Sequence, residues 1–378
     1  MLVRMELHIL GTSSARPTGS RQVSGSLVQC EDGIMVIDAG EGFQTRYAMQ
    51  RKRLKLYDKG NTLRASRVHV ICLTHGHLDH TWGVLPWMHT MALDKRQQPI
   101  LVVGPTSPDV FDALLKNEEI PDSAPNAELA RQIKSWQELG ATSESLGYSV
   151  RWVLGDVLAD RWLEMGDDGK SILLDSMPQP DGWKKNRIQP LATLHSVPSC
   201  AWMLEAKGDA GKFNRMKAAE LKLTDQQKAQ LSSGNNLQLE DGTVLNASDF
   251  RGQERPATRM VISGDTSEMA KGLTSISQTD VLVHESTFLD EAQQWADEFL
   301  HSTSTGAART ALACNARHLV LTHFSARLKD ADIPLSEAKD VFGSADVSVS
   351  AATDGDRINI SENGDISHLV WADDGWSS

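Results

Sequence analysis

The chain has 378 residues, of which 40% are hydrophobic and 23% charged, the balance of an ordinary globular protein. No stretch approaches 18 consecutive apolar residues, which excludes a hydrophobic helical membrane span, and the N-terminal apolar run is too short for a signal peptide. A formal net charge of −12 opposes general nucleic-acid binding, because phosphates are repelled by a negative surface.

Strand candidates open the chain: MELHILG, then SGSLVQC and GIMVIDAG joined by a tight EDG turn. GFQTRYAMQRKR follows with a helical pattern. From Arg46 to Arg67 it and the next loop carry eight basic residues and one acid, Asp58. That stretch reads either as a solvated face or as a local phosphate-binding patch centred on Arg51, Lys52 and Arg53. Next come RVHVICLTH, PILVVGP, a helix over PDVFDALLKN, and short strand-like runs around 148. Residues of about 119–185 are rich in Asp, Gly, Pro and Ser, with weak periodicity. They are expected to be an insertion on the core rather than a second domain.

The strands IQPLATLH and CAWMLEA precede a polar stretch, about 207–257, that reads as an extended, protruding surface arm. RMVISGDT, DVLVHEST, a helix over LDEAQQWADEFL, a second over STGAARTALACN, and ARHLVLTHF complete the pattern. Strands and helices interleave, so the class is α/β, and residues 1–378 are expected to form one domain. Cys30, Cys72, Cys200 and Cys314 sit in apolar runs with no C-x-x-C pair. Buried free thiols in a reducing cytoplasm are the expectation.

The polar clusters fall at strand ends. VICLTHGHLDH finishes in His75 and His77, with Asp79 and His80 on the following turn; His195, Asp265, His284 with Glu285, and His323 end four further strand candidates. Ligands at the C-terminal ends of strands share one edge of an α/β sheet, where sites form. Sorted by chemistry, His75, His77 and His195 are a nitrogen set that suits a zinc ion with an open position. Asp79, His80 and His323 are a second, more oxygen-rich set. Asp265 is the carboxylate that can bridge the two, as phosphoryl-transfer chemistry with paired ions requires. Asp38, in VIDAG, is expected to hold the loop bearing His75 and His77 rather than to ligate.

These residues resemble the metallo-β-lactamase superfamily, through THGHLDH and VIDAGEG. Within it they resemble the ribonuclease Z family of tRNA 3′-processing endonucleases, through GTSSARPT, LHSVPSCAWMLEAKGDAGKFN, LEDGTVLNASDF, LVHESTFLDE, HSTSTGAA and LVLTHFSARL. The resemblance implies a four-layer αββα sandwich with two zinc ions per chain, manganese being accepted by the same ligands. It implies Asp79 as the carboxylate that orients the attacking water, His301 as the acid for the departing ribose oxygen, and His284 with Glu285 as the wall beside it. It also implies a precursor tRNA substrate, an arm that grips the tRNA, and a homodimer. In the early loop, Pro17 and Arg21 match the family's motif for reading the tRNA 3′ end, whereas Gly19 and Gln22 stand where the family has Lys and Asn. The alternative from another substrate class is a hydrolase of a small ester, thioester or phosphodiester, which would not need the arm. A non-catalytic scaffold is disfavoured by the intact set of seven ligands.

Overall fold

The structure, a computed structural model, describes residues 3–208, 211, 213–252, 255–372 and 374–378. The chain divides into two compact units, Met1–Glu205 with Arg259–Ser378, and Ala206–Thr258.

The first unit begins with β1 (Val3–Gly11), β2 (Gly25–Cys30), β3 (Ile34–Ala39), β4 (Val68–Cys72), β5 (Ile100–Pro105), β6 (Val150–Asp156), β7 (Arg161–Met165) and β8 (Ser171–Leu174). β9 (Asn186–Ala192) and β10 (Cys200–Ala206) precede the second unit, which holds β11 (Leu237–Gln238) and β12 (Val244–Leu245). The chain then returns as β13 (Thr258–Ile262), β14 (Thr279–Glu285), β15 (Ala316–Thr322), β16 (Ser348–Ala351), β17 (Arg357–Ser361), β18 (Ile366–Ala372) and β19 (Gly375–Ser377). An eleven-stranded sheet runs β19-β18-β17-β1-β2-β3-β4-β5-β6-β7-β8, and a six-stranded sheet runs β16-β15-β14-β13-β10-β9.

Together the two sheets make the αββα sandwich. Every residue of β3 is buried, as a strand covered on both faces must be. On the outer side of the large sheet, Phe43, Tyr47, Trp87 and Met91 from two helices pack with Val36, Ile71 and Val102. On the outer side of the small sheet, Ala307, Ala308, Ala311 and Phe342 pack with Leu282, Leu319 and Leu321. The small alanines of helix Ser304–Ala313 let it lie close on the strands. Trp202 Nε1 donates to the carbonyl of Leu73 at 3.0 Å, and the amide of Cys200 to the carbonyl of Thr74 at 2.9 Å, so β10 is tied to the exit of β4.

One segment differs from the sequence reading. Residues 119–185, expected as an insertion, supply β6, which pairs parallel with β5, and β7 and β8, which extend the sheet antiparallel. Trp136, Trp152, Leu154 and Leu163 from this segment are core residues. β6 and most of β7 are buried on both faces, which removes the alternation that would have marked them, and β8 is only four residues long. The C-terminal residues carry β17, which pairs with β1, and the β18–β19 hairpin, whose Trp371 is covered by Arg53 at 4.2 Å and whose Trp376 by Arg357 at 4.6 Å.

The Ala206–Thr258 unit spans the stretch of about 207–257 that was read as an arm; Asp209, Ala210, Lys212, Gln253 and Glu254 lie outside the described residues. It has a small apolar centre of Ala218, Leu223, Leu231, Leu237, Ala247 and Phe250. Phe213 stacks on Phe250 with ring centroids 6.1 Å apart. Helix Asp225–Ser232 opens with a capping box between Thr224 and Gln227.

His8 in β1 is fully buried, and burial pushes its pKa down from 6.5 to about 4. Burial, helped by His368, does the same to His318 in β15. Below pH 6.5 the unfolded chain takes up these protons and the folded one does not, so stability should fall as pH drops from about 6.5 to about 4. For His8 the loss should be on the order of 2–3 kcal/mol. His8→Asn keeps an acceptor for the Gln50 amide, which lies 3.1 Å from His8 Nδ1. Urea midpoints measured between pH 7 and pH 4.5 should fall less steeply in that variant.

Candidate metal centre

The parallel strands β3, β4 and β5 of one sheet and β13, β14 and β15 of the other end at one edge of the sandwich. Their C-terminal exits carry Asp38, His75, His77, Asp265, Glu285 and His323. The chain crosses itself closely here. A side chain on Gly40 would stand 2.0 Å from the carbonyl oxygen of Asp79, so only glycine admits the turn that carries Asp79 and His80. Gly264, at φ +60, brings the chain against Thr74 just before Asp265. Asp38 and His323 hold φ values of 55 and 56 without being glycine, a strain that functional sites commonly store.

His75, His77, His195 and Asp265 present one ligand atom each within 4.8 Å of one another, and so do Asp79, His80 and His323. His75 Nε2 lies 3.0 Å from His77 Nδ1, which lies 3.3 Å from His195 Nε2. Asp265 Oδ2 faces this set, 3.7 Å from His75 Nε2 and 4.0 Å from His195 Nε2. Its other oxygen, Oδ1, faces the second set, 3.3 Å from His80 Nε2 and 3.2 Å from His323 Nε2. Asp79 Oδ2 stands 3.6 Å and 3.7 Å from the same two nitrogens and accepts from the amide of Ala15 at 2.8 Å.

The supporting contacts set which nitrogen each histidine offers. Asp38 Oδ2 accepts from His80 Nδ1 at 2.7 Å and from the Thr74 hydroxyl at 2.7 Å, while its Oδ1 accepts from the Thr74 amide at 2.8 Å. The Thr74 oxygen in turn accepts from His75 Nδ1 at 3.1 Å. His195 Nδ1 donates to the carbonyl of Leu300 at 3.0 Å. His323 Nδ1 donates to Thr287 Oγ1 at 2.9 Å, and that hydroxyl donates to Glu285 Oε2 at 2.6 Å. With Nδ1 protons committed, the Nε2 lone pairs of His75, His80, His195 and His323 point inward, the arrangement metal-binding histidines need.

These residues fit a divalent cation on two physical counts. Converging imidazole lone pairs at 3.0–3.3 Å cannot satisfy one another without protons, and the buried Asp265 Oδ1 accepts no hydrogen bond. Burial, with neighbouring imidazoles, drives His75 well down and His77 down to about 4. Both therefore keep their lone pairs at neutral pH. Burial would also lower His80, but Asp265, Asp79 and Asp38 outweigh it and raise its pKa well above 6.5. That excess of carboxylates over cations calls for positive charge at the second set.

His301 stands beside this cluster, its ring 4.9 Å from that of His195. Its Nδ1 lies 2.7 Å from Glu285 Oε1. Burial alone would lower its pKa; the Glu285 carboxylate, followed by Asp265, raises it to about 9. His301, with His77 and His195, opens onto a cleft of about 700 Å³ also lined by Arg16, Phe288, Trp295, Phe299 and Arg327, among others, while Glu285 is buried behind it. Among the described residues His301 also approaches Asp265 and His323, but its Nδ1 is engaged by Glu285.

Not every residue singled out in the sequence gathers here. His284 lines neither donor set nor cleft; its Nδ1 faces the carbonyl of Glu285 at 2.8 Å. Successive strand residues face opposite ways, so Glu285 and His284 cannot both look into the site. Arg21 lies 5.0 Å over the ring of Phe324. Arg51 and Lys52 are exposed on helix Phe43–Tyr57, where Arg51 sits 5.7 Å over Tyr47; none of the basic residues 51–53 lines the cleft. The sequence reading missed Thr74 and Thr287 as relays and Arg16 and Arg327 as cleft residues. Thr74, adjacent to His75, carried the one usable signal.

Residues 18–91 match the sequence profile described as the Metallo-beta-lactamase superfamily. Ribonuclease Z of Myxococcus xanthus is 30% identical over 85% of this chain and 88% of its own length; that of Methanosarcina mazei is 29% identical over 89% and 93%. Among solved structures, the metallo-beta-lactamase fold protein YhfI of Bacillus subtilis aligns with a TM-score of 0.54 at 16% identity, over 94% of this chain and 99% of that one. The short form of human tRNase Z aligns with a TM-score of 0.50 at 21% identity, over 93% and 98%. Likeness at this level over nearly the full length of the Myxococcus protein, on a sandwich with the donor cluster at its strand ends, makes the chain a member of the ribonuclease Z family.

Proposed function

We propose that the protein is a metal-dependent endoribonuclease that removes 3′ trailers from precursor tRNA and leaves a 3′-hydroxyl on the tRNA. The observation that carries this is the shared Asp265, each oxygen turned to a different donor set, with His301, backed by Glu285, beside it on an open cleft. We assign His75, His77 and His195 to one ion, Asp79, His80 and His323 to a second, and Asp265 to both. Zinc suits these donors, and manganese is accepted by the same set. A divalent ion held there supplies Lewis acidity and acidifies water at neutral pH.

The chain's own groups supply the rest. Asp79, held by the Ala15 amide, orients the attacking water. The water oxygen bonds to phosphorus as Asp79 accepts its proton, the bond from phosphorus to the ribose 3′-oxygen breaks, and His301 Nε2 delivers a proton to that oxygen. With Glu285 on Nδ1, His301 is protonated at neutral pH, as an acid must be before the reaction. The Ala206–Thr258 unit is inferred to grip the folded part of tRNA, which reads as a shape through phosphates and 2′-hydroxyls. Such a grip raises the effective concentration at the cleft without touching the chemistry. Arg21, Arg51, Lys52 and Arg53 are the inferred phosphate contacts elsewhere. A homodimer rests on the resemblance to the family. A cytoplasmic location is supported by the four buried free cysteines; among the described residues no helix is long and apolar enough to cross a membrane.

Incubation with a precursor tRNA bearing a 3′ trailer, followed by mapping of the cut and its ends, should give a 3′-hydroxyl on the tRNA and a 5′-phosphate on the trailer. Chelation should abolish the cut. A protein that hydrolyses only small esters or phosphodiesters would contradict the proposal. Replacing Ala206–Thr258 by a short linker should destroy precursor cleavage and spare a small activated phosphodiester.

His301→Ala should slow cleavage about a hundredfold or more with metal content unchanged. Glu285→Gln removes the charge that raises His301, so activity should be lost at lower pH than in the wild type. Recording the basic limb of the pH–rate profile tests the sign.

Asp38→Ala frees His80 Nδ1 and the Thr74 hydroxyl. Metal affinity, read by competition with a chelator, should fall tenfold to a hundredfold.

A further inference from the structure

The wall of the cleft next to His301 is aromatic. Helix Gln293–Phe299 places Trp295 and Phe299 there, 51% and 53% exposed. The rings form a run: His301 to Phe288 is 6.1 Å between centroids, and Phe288 to Trp295 is 6.5 Å. A helix with half-exposed tryptophan and phenylalanine is unfavourable in water unless something covers it. The cationic groups of the cleft come from elsewhere. Arg16 follows β1 and Arg327 follows β15, and their two segments are joined by a bridge between Ser13 and Phe324. The aromatic helix carries Glu298 instead, which also lines the cleft. A carboxylate beside the rings repels a phosphate and leaves them to a neutral, flat group.

We propose that Trp295, backed by Phe288 and flanked by Phe299, is a stacking platform for the unpaired base of the nucleotide that keeps the new 3′-hydroxyl, with Arg16 and Arg327 taking backbone phosphates. This rests on the tRNA 3′-processing reading above. The side of the cut follows from His301. It gives its proton to the departing 3′-oxygen, so the rings that continue from His301 lie on the side of the nucleotide bearing that oxygen. Stacking on an aromatic face tolerates any base, because every base has a π-face. The platform therefore lends affinity for an unpaired nucleotide without dictating its identity. Trp295 acts by positioning; it does not touch the reacting atoms.

The test is a cross between protein and substrate. Precursor tRNA is prepared with its natural base, or with an abasic ribose, at the nucleotide 5′ to the cut. Wild type, Trp295→Ala, Trp295→Phe and Phe299→Ala are compared on both, with melting temperatures to confirm folding. On the natural substrate, Trp295→Ala should lose about tenfold to a hundredfold in kcat/KM, mainly through KM. Trp295→Phe should recover most of it, and Phe299→Ala should show a smaller loss. On the abasic substrate the wild type should drop to the level of Trp295→Ala, and the substitution should cost nothing more. Equal losses for Trp295→Ala on both substrates, or no loss on the natural one, would overturn the platform while leaving precursor processing intact. A wild type that does not cut the precursor would overturn the functional reading, and the platform with it.

Discussion

A buried carboxylate shared by four imidazoles governs this site. Asp265 is 3% exposed, and its two oxygens face nitrogens 3.2–4.0 Å away on histidines from both sheets. Burying such a charge is costly unless cations or hydrogen bonds compensate it. The fold meets that cost by ending parallel strands of two sheets at the same edge, so that donors far apart in sequence converge without any one loop reaching far. Asp38, Thr74, Thr287 and the Leu300 carbonyl then take the outward nitrogens. The inner ones stay free, and the ring orientations are fixed before any ion arrives.

His301, the proposed acid, sits outside this cage for an electrostatic reason. His301 and His195 are ring neighbours, yet their pKa values are driven apart. Burial lowers His195, whose Nδ1 meets only a carbonyl. His301 has the Glu285 carboxylate at 2.7 Å, which reverses the effect of burial. Two imidazoles a few ångströms apart are thereby held in different protonation states, which suits the proposed work of one as a ligand and of the other as an acid.

Much of this was legible in the sequence, and the limits are physical. The H-x-H-x-D-H spacing and the strand-end positions of Asp265 and His323 identify the donors, because a β-strand's exit is readable from the apolar run before it. His195 lies three residues beyond the end of β9, in a loop, and its place depends on the carbonyl of Leu300, which only a left-handed residue at φ 54 can present. No local preference announces a left-handed leucine. His195 was nonetheless singled out in the sequence; His284 is where that reading fails. Its neighbour in sequence is at the site, but strand alternation turns it away. In 119–185, β6 and β7 were obscured by burial on both faces and β8 by its length of four residues, while the basic residues 51–53 were conspicuous in sequence and are placed on a helix outside the cleft.

We propose that this cluster holds two cations through one shared aspartate. Crystals soaked in zinc, with diffraction recorded on either side of the zinc absorption edge, test it directly. The expected anomalous map has two peaks per chain, one among His75, His77 and His195 and one among Asp79, His80 and His323, with Asp265 touching both. Replacing Asp265 with alanine should weaken both together. A single peak, or two peaks of which only one responds to the loss of Asp265, would contradict the shared carboxylate and the mechanism built on it.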